Sequence, residues 1–184
     1  MFQKLLKKLA QALDKAKIPY MIIGGQAVLL YGTPRLTRDI DITLGLDVDE
    51  LDKIKQVCKK IGFKALTKEP ENFTRDTNVL PVEDLATNIR VDFIFSFTSY
   101  EAQAIRRATK FDIGGYRVKF ASCEDVIIHK MFAGRAIDIE DVKNIIIKNK
   151  KKLDVRYIRK WLTEFSSLDS AHDSLAQFNS VLRA

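Results

Sequence analysis

The segment Arg38-Asp39-Ile40-Asp41-Ile42 alternates charged and apolar residues with a period of two, the pattern of a strand that buries one face and carries acids on the other. Carboxylates at i and i+2 project from the same face, about 7 Å apart at the Cα positions, while Ile40 and Ile42 point into a core. Two acids on one face can jointly hold divalent metal. Magnesium dehydrates reluctantly and is usually bound by one or two carboxylates together with nucleotide phosphates. The bland alternative for any Asp-x-Asp is a solvated loop that happens to carry acids, so the flanking sequence has to decide.

Upstream, Tyr20-Met21-Ile22-Ile23 is an apolar run of strand length that stops at Gly24-Gly25, and Gln26 to Tyr31 then reads as the start of a helix. The first acid follows fourteen residues after the glycine pair. A strand, a double glycine and a helix bring bare backbone N–H groups and a helix N-terminus to one point, which suits a phosphate. A third acid, Asp92, stands in the middle of Ile89-Arg90-Val91-Asp92-Phe93-Ile94-Phe95, a run apolar on both faces apart from Arg90 at its edge. This predicts a central buried strand. A buried carboxylate needs a partner or must protonate, so Asp92 is expected to bind metal, with a nearby Arg or Lys as the alternative partner.

These residues together resemble the nucleotidyltransferase superfamily related to DNA polymerase beta. The string from Ile23-Gly24-Gly25-Gln26-Ala27 through Gly32-Thr33-Pro34-Arg35-Leu36-Thr37-Arg38-Asp39-Ile40-Asp41 is closer to its AbiEii-like branch, known from abortive-infection and toxin–antitoxin systems. The resemblance spans roughly residues 18 to 145, and the combination is far more specific than any single motif. It implies that Gly24 and Gly25 form the phosphate-binding turn, that Asp39 and Asp41 hold the metals, and that Asp92 helps to activate the attacking hydroxyl. The chain departs at Gly25, where many superfamily members carry a serine that contacts the triphosphate.

The chemistry suits the residues independently. Nucleotidyl transfer is an in-line displacement at the α-phosphorus, and two metal ions about 3.5–4 Å apart can stabilise the attacking and leaving oxygens together. Positioning and charge neutralisation carry most of the acceleration. Two magnesium ions, with manganese as the substitute, are therefore the expected cofactors, and Arg35, Arg38 and Lys130 are candidates for the phosphates.

Lys130 lies in a segment that opens with Ser122 and Asp125 as a capping-box-like start and closes at Gly134, which predicts a helix of about three turns. The Lys130 segment, continuing through Asp138 and Asp141, looks like the Lys-x-x-Ala motif with downstream Arg and paired Asp of the AbiEii-like branch, where the lysine is expected to reach the nucleotide. A solvated helix face is the competing reading of Lys130. Asp138 and Asp141 read equally well as an N-cap and a first-turn charge of the next helix.

Elsewhere, Phe2, Leu5, Leu6, Leu9 and Leu13 predict an opening helix before Pro19, and Leu51, Ile54, Val57 and Ile61 a second, stopped at Gly62. Thr109 to Ile113, Gly114-Gly115 and Tyr116 to Phe120 read as a hairpin with its turn. From Ser122 onward the pattern is helical, with apolar stripes of Val155, Ile158, Leu162 and Phe165 and of Leu175, Phe178 and Leu182. His129 and His172 lack metal-ligand spacing and are expected to be structural or on the surface. Two isolated cysteines, Cys58 and Cys123, and no long apolar segment suggest a cytoplasmic chain with no disulfide framework and no membrane partner. The expected fold class is α/β (α+β): a nucleotidyltransferase-fold mixed sheet flanked by helices over residues 1–121, with a C-terminal helical extension over 122–184.

Residues 143–160 hold eight Lys or Arg against one acid, Asp154, whereas the rest of the chain has 23 basic and 23 acidic residues. The whole net charge of +7 thus comes from one place. A basic block of this kind suits a polyanionic acceptor held through phosphates, and a lysine-rich solvated helix junction is its plain alternative. The function expected is metal-dependent transfer of a nucleoside monophosphate from an NTP to a hydroxyl, RNA and especially a tRNA end coming first as acceptor. A protein hydroxyl or a small antibiotic comes second, and a cognate toxin or antitoxin is a candidate protein partner. The rival from another class is a non-catalytic antitoxin or binding module that keeps the fold, against which three acids on neighbouring motifs argue.

Overall fold

The computed structural model of the protein describes residues 1–96, 98–168 and 173–183, so His172 lies outside the described residues. The chain forms two compact units, Met1–Ile23 with Thr37–Phe120, and Gly24–Leu36 with Ala121–Ala184. Where the sequence suggests a single boundary after residue 121, the contacts divide the chain at Phe120/Ala121 and also group Gly24–Leu36 with the C-terminal helices.

The first unit is built on strands β1 (Tyr20–Ile22), β2 (Asp39–Leu44), β3 (Phe63–Ala65), β4 (Val79–Asp84), β5 (Arg90–Phe95), β6 (Thr109–Asp112) and β7 (Arg117–Phe120). They form one mixed sheet in the order β3-β4-β5-β2-β1-β7-β6. The β2–β5 and β1–β7 pairs are parallel and the others antiparallel. Around the sheet lie α1 (Phe2–Lys15), α3 (Leu51–Lys60), α4 (Pro70–Thr77) and α5 (Ser99–Arg107). Helix α1 presents Leu5, Leu6, Leu9 and Leu13 at helical spacing and buries all four, as its stripe predicts. The β6–β7 turn is the two-residue loop Gly114-Gly115, both glycines at positive φ, closed by paired hydrogen bonds between Ile113 and Tyr116. This is the primed turn whose twist matches the flanking strands.

Strand β5 corrects one expectation. Val91, Phe93 and Phe95 are buried, but Asp92 and Ile94 on the opposite face are only half-buried and Arg90 is exposed. The sheet therefore buries one face of this strand and leaves its charged face, with the Arg90–Asp92 pair, within reach of water.

The second unit contains α2 (Gly24–Tyr31), α6 (Cys123–Ala133), α7 (Ala136–Asn149), α8 (Val155–Leu168) and α9 (Ser174–Arg183). Helix α6 forms its core with Val126, Ile127, Ile128 and Met131; Ser122 caps it by accepting from the Asp125 N–H, and Gly134 ends it at φ 64°. The buried Asp125 also accepts from the Tyr157 hydroxyl at 2.8 Å, which fastens α8 to the start of α6. The end of α2 is tied to α7, Asn149 donating to the Tyr31 carbonyl and Lys148 to that of Gly32. In α9, Phe178 and Val181 are buried whereas Leu175 and Leu182 are half-buried, so the apolar face is rotated by about one residue from the expected stripe. No helix among the described residues is long and apolar enough to cross a membrane.

Candidate active site

Strands β2 and β5 run parallel with Asp39 opposite Arg90 and Asp41 opposite Asp92. Because the side-chain period of a strand is two and paired residues share a face, all four side chains emerge on the same side of the sheet. Ile40, Ile42, Val91 and Phe93 point the other way and are buried. The strand-face reading of Asp39 and Asp41 is thus realised, and Asp92 joins them from the adjacent strand. Asp41 is also fixed through its backbone, its carbonyl accepting from the Ile23 N–H at 2.9 Å. The Thr37 hydroxyl donates to the Asp39 carboxylate at 3.2 Å.

Asp92 has a cationic partner. The Arg90 Nε donates to its Oδ1 at 2.8 Å, and the two residues sit at i and i+2 on one face of β5. Hydrogen bonding to Asp92, with further attraction from Asp39 and Asp41, holds the Arg90 guanidinium above its ordinary pKa. On the far side of β5, Glu83 of β4 stands opposite Arg90 and Pro81 opposite Asp92. The ion-pair alternative for Asp92 is therefore what the side chains display. Among the described residues no group of three or more His, Cys, Asp or Glu is gathered closely enough to hold a metal ion. The donor set nonetheless suits a hard divalent cation: three carboxylates from two adjacent strands, all on one half-open face.

In the second unit, Gly24 begins α2 at φ 62° and Gly25 is buried. A positive φ at the first residue of a helix favours glycine and explains one member of the pair. Arg38, in the first unit, is exposed.

Lys130 is not on a solvated helix face. It is buried on α6, its Nζ lying 2.6 Å from Asp138 Oδ1 and 3.0 Å from Asp141 Oδ2. Arg135 donates to Asp138 at 2.6 Å, and Arg35 grips Asp141 with Nε and Nη2, both at 3.0 Å. The result is an alternating run of charges, Arg35, Asp141, Lys130, Asp138 and Arg135. Arg135, not Asp138, occupies the N-cap position of α7, with no side-chain cap, and the first-turn acid is Asp138 rather than Asp141; both carboxylates are buried in ion pairs. Burial pushes the Asp138 carboxyl up, but its hydrogen bonds to Arg135 and Lys130 outweigh this and hold it below the usual range. Sequence reasoning missed this network and, while offering a nearby Arg or Lys as the alternative partner of Asp92, did not single out Arg90. The i, i+2 spacing on one strand face was the available signal for the second; in the first only the i, i+3 pair of Arg135 and Asp138 is local, since Arg35 and Asp141 are separated by 106 residues.

Several solved structures share the fold. The antibiotic-resistance factor ANT(2'')-Ia is 17% identical, with 92% of this chain and 93% of that one covered and a TM-score of 0.64. An antigenic nucleotidyltransferase-like protein from Paracoccidioides brasiliensis is 20% identical, covers 99% and 92%, and has a TM-score of 0.58. The lincosamide antibiotic adenylyltransferase LnuA is 19% identical over 74% of this chain and 91% of its own, with a TM-score of 0.51. No curated protein matches the sequence. The family model for nucleotidyltransferases of unknown function, DUF6036, matches residues 1–181, and it is to this family of nucleotidyltransferases that the chain belongs.

Proposed function

We propose that the chain transfers a nucleoside monophosphate from an NTP to a hydroxyl acceptor in a metal-dependent reaction, with RNA, and a tRNA end in particular, as the acceptor. The observation that carries the transfer chemistry is the in-register placement of Asp39 and Asp41 beside Asp92 on one face of β2 and β5. Asp39, Asp41 and Asp92 would hold magnesium, or manganese in its place; when bound, such ions neutralise charge on the reacting phosphate and on the leaving group. The acceptor oxygen bonds to the α-phosphorus as the bond to the bridging oxygen of the β-phosphate breaks. Pyrophosphate departs, and Asp92 takes the hydroxyl proton. Gly24 and Gly25, at a helix start, and the exposed Arg38 are assigned to the nucleotide phosphates. Lys130, the centre of a network of three cations and two carboxylates, is assigned to the nucleotide phosphates as well.

The RNA assignment rests on the basic block. All eight Lys and Arg between residues 143 and 160 are exposed, spread over α7, the following turn and α8. The AbiEii-like branch, and with it a toxin–antitoxin setting and a cognate protein partner, is supported by the motif resemblance of residues 23–41. A small antibiotic is the second acceptor class, because ANT(2'')-Ia and LnuA, which share the fold, are named for antibiotics. The deciding experiment incubates the protein with each α-labelled NTP, magnesium, and either total tRNA, a panel of aminoglycosides and lincosamides, or protein extract. Label is expected on RNA with the parent and on nothing with Asp41→Asn, whose fold should be unchanged. Label on a drug or a protein alone would replace RNA as acceptor, and equal transfer by Asp41→Asn would remove the metal-site assignment.

A further inference from the structure

Four charged side chains form a two-by-two array on one sheet face: Asp39 and Asp41 on β2, Arg90 and Asp92 on β5. Three are acids, and a fourth acid, Glu83, stands opposite Arg90 on β4. Acids crowded on a half-open surface repel one another and need a cation near them. The chain supplies one covalently. Arg90 is paired to Asp92 at 2.8 Å, and its side chain is 53% exposed against 16% for Asp92, so the arginine is the more solvent-facing member of the pair.

We propose that Arg90 is a resident counter-cation of the acidic face, one that a divalent ion must displace from Asp92 before this carboxylate can ligate it, so that Arg90 sets the metal affinity of the site. The inference rests on the metal-site reading above and adds a residue to it. An arginine suits the task because its charge survives at any physiological pH, while its long, half-exposed side chain can swing away once the ion has taken its place. An ammonium would satisfy the charge but not the planar contact that Nε makes with the carboxylate. The residues opposite Arg90 on the neighbouring strands, Asp39 of β2 and Glu83 of β4, are both acidic, and the basic Lys64 of β3 lies one strand further out, opposite Glu83.

The test is manganese binding, read by electron paramagnetic resonance of free Mn²⁺ and by calorimetry with no nucleotide present. Arg90→Gln is expected to bind Mn²⁺ about tenfold more tightly than the parent at low ionic strength, with the gain shrinking in salt. Arg90→Lys should fall between the two. Unchanged or weaker binding by Arg90→Gln, in a protein whose Asp41→Asn variant has lost Mn²⁺ binding, would overturn the inference and leave the metal-site reading standing. A parent that binds no Mn²⁺ would overturn both. A second measurement needs no fold-sensitive variant: in ¹⁵N-labelled parent the Arg90 Nε–H resonance should move towards the position of a free arginine as Mg²⁺ saturates the site. A resonance that stays in place at saturation would overturn the inference even if the glutamine variant does not fold.

Discussion

At the scale of single residues the chain places its charges under unusual constraint. Asp138 is fully buried yet shared between Lys130 and Arg135, so removing it would leave a buried ammonium with only Asp141. Breaking a buried pair from one side typically costs about 3–5 kcal/mol, and Asp138→Asn should destabilise the protein by about 3 kcal/mol at neutral pH, as measured by urea unfolding. The pH dependence follows from the lowered carboxyl pKa of Asp138. A carboxyl whose folded value lies below its unfolded value contributes its full stability above the unfolded value and loses it as the pH falls through the folded one. Parental stability should therefore decline below about pH 4 partly through this residue, and Asp138→Asn should show a shallower decline over the same range. An equally steep decline in the variant would assign the acid sensitivity to other carboxylates.

Individual elements were legible where local chemistry and tertiary packing agree. The hairpin of β6 and β7 follows from Gly114-Gly115 between two strand-like runs, and both glycines take the positive φ that such a turn demands. A Cβ at Gly115 would meet no atom within 4 Å, so any penalty there is conformational rather than steric crowding by neighbours. Gly115→Val should lower stability by about 1–2 kcal/mol, whereas Gly114→Asn should lower it by less, since asparagine tolerates the left-handed region. Equal urea midpoints for both variants and the parent would show that the turn relaxes without cost. Strand β4 illustrates the opposite case. Pro81 stands inside a strand flanked by β3 and β5, a position that sequence rules advise against. It is accommodated at the end of the three-residue β3, whose register stops at Ala65 opposite Val82 and where the Leu66 N–H just beyond still donates to the Pro81 carbonyl at 2.9 Å.

For the whole chain the dominant physical property is charge asymmetry, since the net +7 resides in residues 143–160. Lys150, Lys151 and Lys152 form an exposed run at the turn between α7 and α8. Replacing all three with Gln should weaken RNA binding and reduce the magnitude of its log-salt slope by up to about 3, one unit per lost phosphate contact. NTP affinity should barely change. If RNA affinity and slope hold at parental values while NTP binding falls, the block serves the nucleotide and the RNA acceptor has to be given up.

Sequence alone determined the parts whose cause is local. Period-two alternation placed Asp39 and Asp41 on one strand face; glycines and caps marked the ends of α3 and α6; and leucine spacing set the buried side of α1. The motif combination reached the nucleotidyltransferase superfamily, to which the matching family model also points. Only the tertiary structure decided which strand lies beside which, and hence that Asp41 faces Asp92 while Asp39 faces Arg90. It alone decided that Gly24–Leu36 groups with the C-terminal helices, and that Lys130 is enclosed by Asp138, Asp141 and their arginine partners. The physical reason is range. Strand faces, caps and turns depend on residues within one or two turns of the chain, whereas register and ion-pair partners join residues many tens of positions apart, and are selected by which packing buries apolar side chains without leaving a charge unpaired.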